Sequence, residues 1–201
     1  MHPHAPRLFA LDEALRAEAD RMLADSGIGA ILAEGGYQVV GSYPMRTMTW
    51  RDLDFERAAQ APDWDEHWEV GTRLMKTGWC FRLQCENVHR HAWGPPGLYW
   101  GLRLADPAHQ QLAWPEDPRI WKIDLWTIPA EHVAANRAQR EKWMRLLDDD
   151  ARSYVLAIKE AVCHDPAYRK TMLSVHIYEA VLEHGIRDVD AFRAWWEARK
   201  P

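Results

Sequence analysis

The stretch "GSYPMRTMTWRDLDFE", residues 41–56, decides how this chain is read. It follows the apolar run "YQVV" and ends in Asp52-Leu53-Asp54-Phe55, two acids alternating with two apolar residues. Strands disfavour aspartate, so a pair of them in a strand-like run asks for a reason. Residues two apart on a strand project from one face, about 6.6 to 6.8 Å apart at the backbone. Asp52 and Asp54 therefore stand side by side, with Leu53 and Phe55 on the opposite face. The same alternation recurs in "IWKIDLWTI", residues 120–128, where Trp121, Ile123 and Leu125 take one side and Lys122, Asp124 and Trp126 the other. If the two strands are neighbours, Asp52, Asp54 and Asp124 converge on one patch.

Three clustered carboxylates repel one another, and holding them together without a cation is costly. Hard divalent metals resolve the conflict: Mg²⁺ takes oxygen ligands, commonly a few carboxylates together with substrate phosphates. Two such ions about 3.5–4 Å apart match a strand-spaced pair of aspartates with a third acid beside them. Gly41-Ser42 fits the same chemistry, because glycine permits close backbone approach. A helix starting just after it, with Pro44 in its first turn, would turn N–H groups and a positive dipole end toward phosphate oxygens.

Val40-Gly41-Ser42, a gap of nine residues, Asp52-Leu53-Asp54-Phe55 and the later isolated Asp124 together resemble the nucleotidyltransferase superfamily. That superfamily includes DNA polymerase beta and the lincosamide and aminoglycoside nucleotidyltransferases. The resemblance covers residues 36–128. It implies an α+β fold: a mixed sheet of the nucleotidyltransferase type with flanking helices over residues 1–128, then a C-terminal helical bundle over 129–201. It also implies transfer of a nucleoside monophosphate from an NTP to a hydroxyl of a small-molecule acceptor. Asp52, Asp54 and Asp124 would be the catalytic residues and the ligands of two Mg²⁺ ions, and Gly41 and Ser42 would contact the phosphates. Many small members follow Gly-Ser with a small residue, an arginine and a glycine. Here the run is Tyr43-Pro44-Met45-Arg46-Thr47, so Arg46 stands one position displaced as a phosphate contact. Lys122, Arg73 and Lys76 are further phosphate candidates.

Two other readings stay open. The chain could be a catalytically inactive protein of the same fold, a nucleotide-binding regulator or part of a toxin–antitoxin-like pair. It could also be an interaction protein built on its tryptophan-rich helices. "PDWDEHWE" offers acids and aromatic faces to a cationic acceptor such as an aminoglycoside, or is a solvated helix face over buried tryptophans.

Beyond the central run, "LFALDEALRAEADRMLADSG" has helical spacing, and Asp63 is placed to cap a helix carrying Trp68, Leu74 and Met75. "WCFRLQCENV" and "GLYWGLRLAD" read as an antiparallel hairpin around "HRHAWGPPG", with His89 and His91 in its loop. From about Ala130 the pattern is helical throughout, and this tail is expected to close one side of an acceptor cleft or to pack against a second copy as a homodimer. His2 and His4 are assigned to a loose terminus.

The 201 residues carry a net charge of −5, with 47% apolar and 27% charged side chains, as in an ordinary soluble protein. No duplex-sized basic footprint is present, which disfavours a long nucleic acid partner. No apolar run reaches the roughly 18 residues of a membrane span. The opening "MHPHAPRLFALDEAL" lacks the layout of a signal peptide. Three cysteines without metal-finger spacing fit reduced, buried thiols. A cytoplasmic protein is expected. Twelve tryptophans are many for the length, and packing or ligand stacking would both use them.

Overall fold

The structure, a computed structural model, describes residues 1–60, 63–90, 94–109, 111–115, 117–168 and 170–199. Helix α1 spans Ala5–Asp25 and buries Leu8, Leu15, Ala19 and Met22 along one stripe before Ser26-Gly27 ends it. It begins three residues earlier than the apolar spacing suggests, and the terminus ahead of it is tied down, His2 N–H donating to Ser153 Oγ at 2.9 Å. A short helix, α2 (Ile28–Glu34), went unread in the sequence, because its seven residues bury only Ile28 and Leu32 and show too little periodicity.

The chain turns at Gly35-Gly36 into β1 (Gln38–Val40), followed by β2 (Asp52–Ala58). Helix α3 (Trp64–Lys76) starts where expected: Asp63 accepts the Glu66 N–H at 3.0 Å, a cap worth about 1 kcal/mol. Strands β3 (Cys80–Asn87) and β4 (Leu98–Leu104) form the antiparallel hairpin, and β5 (Trp121–Ile128) follows. His91 of the hairpin loop lies outside the described residues. Helices α4 (Ala130–Leu146), α5 (Asp149–Val162), α6 (Ser174–Leu182) and α7 (Val189–Glu197) complete the chain. The class is α+β, with a five-stranded mixed sheet in the order β1-β2-β5-β4-β3. Its one parallel pair is β2 with β5, and the other neighbours run antiparallel. Among the described residues no helix is long and apolar enough to cross a membrane.

Two compact units divide these elements. The helical unit comprises residues 1–14, 46–49 and 138–201, and the sheet unit residues 15–45 and 50–137. Inside the helical unit, α5 packs on α6 and α7 around Val155, Leu156, Ile177, Val181 and Phe192. A buried polar cluster there holds the backbone of residues 46–48. Asp12 accepts Met48 N–H at 2.8 Å and the Arg152 guanidinium at 3.0 Å, while Arg152 Nε donates to Arg46 O at 2.7 Å and Lys159 Nζ to Thr47 O at 2.7 Å. Asp12 and Lys159 are essentially inaccessible to water, so removing one partner strands a charge in the interior. Asp12→Ala is therefore expected to lower unfolding free energy by about 3–5 kcal/mol, read from chemical denaturation, whereas exposed Asp25→Ala should change it by less than about 0.5 kcal/mol.

In the sheet unit α3 covers one sheet face. Leu74 is fully buried, but Trp68 and Met75, expected with it on an apolar stripe, lie at the surface around an apolar groove with Thr72 and Leu83. The tryptophans accordingly split: Trp100 and Trp121 are core, while Trp64, Trp68 and Trp114 are exposed. His67 of α3 is fully buried and stacks on Trp100 with ring centroids 4.6 Å apart, and among the described residues neither ring nitrogen has a hydrogen-bond partner. Burial, reinforced by the Arg57 charge, pushes its pKa down from 6.5 to about 4. An imidazole that resists protonation in the folded state but accepts it at 6.5 when unfolded favours unfolding as pH falls through that window. Stability should be independent of His67 above pH 6.5 and decline by roughly 3 kcal/mol toward pH 4. Denaturant melts of His67→Leu across this range should lack that part of the decline.

Candidate metal and phosphate site

The parallel register of β2 on β5 sets Asp52 beside Lys122 and Asp54 beside Asp124. The alternation read in both segments is observed: Leu53, Phe55, Ile123 and Leu125 are buried, and the polar residues between them point to the other face. Asp52, Asp54 and Asp124 are brought together, each offering a carboxylate oxygen so that all three atoms lie within 4.8 Å of one another.

Three further groups shape the cluster. Lys122 Nζ bridges two of the acids, 2.9 Å from Asp52 Oδ1 and 2.5 Å from Asp124 Oδ2. Burial by itself would lower the lysine pKa, but the fields of Asp52, Asp124 and Asp54 outweigh it and hold the ammonium charged. Trp50 Nε1 donates to Asp52 Oδ2 at 3.1 Å. Tyr99 of β4 donates its hydroxyl to Asp124 Oδ1 at 2.8 Å. Burial first, then the Asp124 charge, raises the Tyr99 pKa far above the ordinary phenol range, so the hydroxyl remains a donor.

Two glycines make this geometry reachable. Gly41 has φ +66°, and a Cβ there would fall 2.4 Å from Asp54 Oδ2, so only glycine lets this turn lie against the carboxylate. Gly101 is the register partner of Asp124, and a Cβ on it would meet the Tyr99 hydroxyl at 2.6 Å. Tyr99 thus leans across a bare strand position to reach its neighbour's acid. Sequence reasoning passed over Tyr99, Trp50 and Gly101. The glycine in the middle of "LYWGLRL" was the available signal, since a strand-interior glycine marks a close approach.

The turn after β1 departs from expectation. Residues 41–46 form successive turns and no helix follows Gly41-Ser42, so no helix dipole or row of helical N–H groups faces the site from there. Pro44 lies within those turns, and the segment is anchored instead by Tyr43, whose hydroxyl donates to Asp20 at 2.5 Å. Ser42 sits half-buried beside Gly41. Arg46 belongs to the helical unit, where its guanidinium lies 3.6 Å from Glu13. Arg73 and Lys76 ride on α3, which packs through His67 and Trp100 on the sheet face opposite the acids; Arg73 pairs there with Glu34. His89 is an exposed residue of a short 3₁₀ turn.

The donor set is three carboxylates, with Asp52 and Asp124 about 15% exposed. That is a hard-oxygen set, suited to Mg²⁺ and lacking the nitrogen and sulfur ligands of a zinc centre. One ammonium set against three carboxylates does not balance them, so the cluster retains an attraction for a divalent cation. The residues present fit a metal. No family model matches the chain, and no curated protein matches it.

Replacing Gly41 tests how closely the turn bears on Asp54. Gly36 also has a left-handed backbone (φ +74°) but open space around it, so Gly36→Ala measures backbone strain alone. Gly41→Ala should destabilise by at least about 1 kcal/mol more than Gly36→Ala; where calorimetry detects a divalent cation on the three acids, Gly41→Ala should weaken its binding at least about tenfold and Gly36→Ala should leave it unchanged.

Proposed function

We propose that this chain is a metal-dependent nucleotidyltransferase, built on the fold of that superfamily, which transfers a nucleoside monophosphate from an NTP to a hydroxyl of a small-molecule acceptor. One observation carries the reading: three aspartates from adjacent strands offer oxygens within 4.8 Å of one another, with Gly41 against one of them. Asp52, Asp54 and Asp124 would hold Mg²⁺, two ions in the superfamily's pattern. Bound metal supplies charge neutralisation on the triphosphate and a lowered pKa for the attacking hydroxyl.

The chain's own groups do the remaining work. The bare Cα of Gly41 leaves phosphate oxygens room beside Asp54, and Ser42 follows it into the same turn. Lys122 keeps a positive charge between Asp52 and Asp124, which offsets part of their mutual repulsion and adds to the positive field met by phosphate oxygens. Tyr99 fixes the Asp124 carboxyl by its hydrogen bond, leaving the second oxygen to face Lys122 and substrate. In the transfer the acceptor oxygen bonds to the α-phosphorus, and the bond from that phosphorus to the α–β bridging oxygen breaks. Pyrophosphate departs with the electron pair, and the hydroxyl proton passes to a base, a role Asp124 would take in this reading. Positioning and electrostatic stabilisation supply most of the acceleration in such reactions.

The second reading, a regulator that binds nucleotide without turnover, is favoured by the turn that replaces a phosphate-facing helix after Gly41-Ser42. Both readings require the acids. Asp52→Asn and Asp54→Asn should each abolish Mg²⁺-dependent ATP binding in calorimetry and reduce pyrophosphate release by at least about a thousandfold. Full activity in either variant excludes the assignment. Tight Mg²⁺·ATP binding by the unaltered protein, with no pyrophosphate released on any hydroxyl acceptor, selects the regulator.

A further inference from the structure

The polar face of the sheet continues past the aspartates. In register, Lys122 of β5 stands beside Arg103 of β4, and Arg103 beside Arg82 of β3. Neighbouring strands are about 4.8 Å apart, so three cationic side chains rise from one row across three strands, the arginines about 5 and 10 Å beyond Lys122 at the backbone. Lys122 is engaged by Asp52 and Asp124. The two arginines are not: among the described residues neither forms an ion pair with a carboxylate. Arg103 is half-buried and donates one N–H to its neighbour's carbonyl, Leu102 O, at 2.8 Å. It lies close enough to Tyr99 for its charge to oppose the upward pKa shift of that hydroxyl. Arg82 is exposed, with its guanidinium carbon 4.8 Å from the centroid of the Trp114 ring, a cation–π contact. Like charges directly opposite on neighbouring strands repel one another, and Arg103 and Arg82 are such a pair. A bound oxyanion relieves that repulsion.

Direction decides which substrate the pair serves. Gly41 touches Asp54 of β2, so the turn bearing Gly41-Ser42 approaches the acids from the β1–β2 side, whereas Arg103 and Arg82 lie on the β4–β3 side, beyond Asp124. With the triphosphate against the Gly-Ser turn, the arginines border the space on the acceptor side. We infer that Arg103 and Arg82 form an anion site and that the acceptor is a small hydroxyl compound bearing a phosphate group. The acceptor's identity rests on the proposed transferase function; the anion site does not. A phosphate monoester matches two guanidinium forks in charge and geometry, and the same forks repel a polycationic acceptor such as an aminoglycoside.

The experiment has two independent arms. In the first, calorimetry without nucleotide or metal compares ribose 5-phosphate with ribose as probes, on the full chain and on Arg82→Gln, Arg103→Gln and the double variant, each checked for an unchanged thermal melt. Ribose 5-phosphate should bind at least tenfold more tightly than ribose, and the double variant should lose that preference. Equal binding of the two probes, or a preference that survives the double variant, overturns the anion site. In the second arm, pyrophosphate release is followed with Mg²⁺·ATP and phosphorylated or unphosphorylated hydroxyl acceptors. Arg103→Gln should raise KM for the phosphorylated acceptor at least tenfold while KM for ATP stays constant. Turnover confined to neutral or cationic acceptors overturns the assignment of the acceptor. Failure of the transferase reading shows separately, as absent Mg²⁺·ATP binding or as binding with no pyrophosphate released on any acceptor, while the first arm still decides the anion site.

Discussion

The parallel pairing of β2 with β5 is the constraint on which the site depends. That register alone sets Asp54 opposite Asp124 and Asp52 opposite Lys122. A slip of one residue would turn every polar side chain of one strand into the core and every buried one out of it. Leu53, Phe55, Ile123 and Leu125, all buried, hold the register through hydrophobic burial, and so the apolar face of the two strands stabilises an arrangement on the polar face that is electrostatically unfavourable by itself.

The cost of gathering three anions is met locally in several ways. Lys122 places an ammonium between two of them, Trp50 and Tyr99 donate neutral hydrogen bonds, and Gly41 and Gly101 clear the space these contacts need. Tyr99 and Gly101 come from the strand beside Asp124, Lys122 from the strand beside Asp52 and the same strand as Asp124, and Gly41 and Trp50 from the connection between β1 and β2. Lys122, Tyr99 and Gly101 are thus carried on the sheet itself, and strand-mounted groups hold ligands at fixed spacing. The cation row of Lys122, Arg103 and Arg82 extends the same logic sideways, one residue per strand.

Much of this was legible in residue order. Period-2 alternation in "DLDF" and "IWKIDLWTI" told which side chains share a face, Asp63 announced the start of α3, and the Pro-Pro-Gly stretch announced the β3–β4 hairpin. Where the reading failed, a local signal was overruled or missing. Pro44 suggested a helix start, yet the residues after Gly41 form turns, held by the Tyr43–Asp20 hydrogen bond across distant positions. Trp68 and Met75 fell on an apolar stripe that the helix does not bury, because α3 meets the sheet through His67, Val70, Gly71 and Leu74 instead. Helix α2 was too short to leave a periodic trace.

Sequence alone determined the chemistry available on each strand face, since side-chain alternation follows from backbone geometry and needs no partner. It could not say which strand lies beside which, because pairing joins residues about seventy positions apart and is chosen by burial over the whole sheet. Tertiary structure decided that Asp124 meets Asp52 and Asp54, that Lys122 sits between two of them, and that Tyr99 reaches across Gly101. Those are relations among strands, and only the folded sheet contains them.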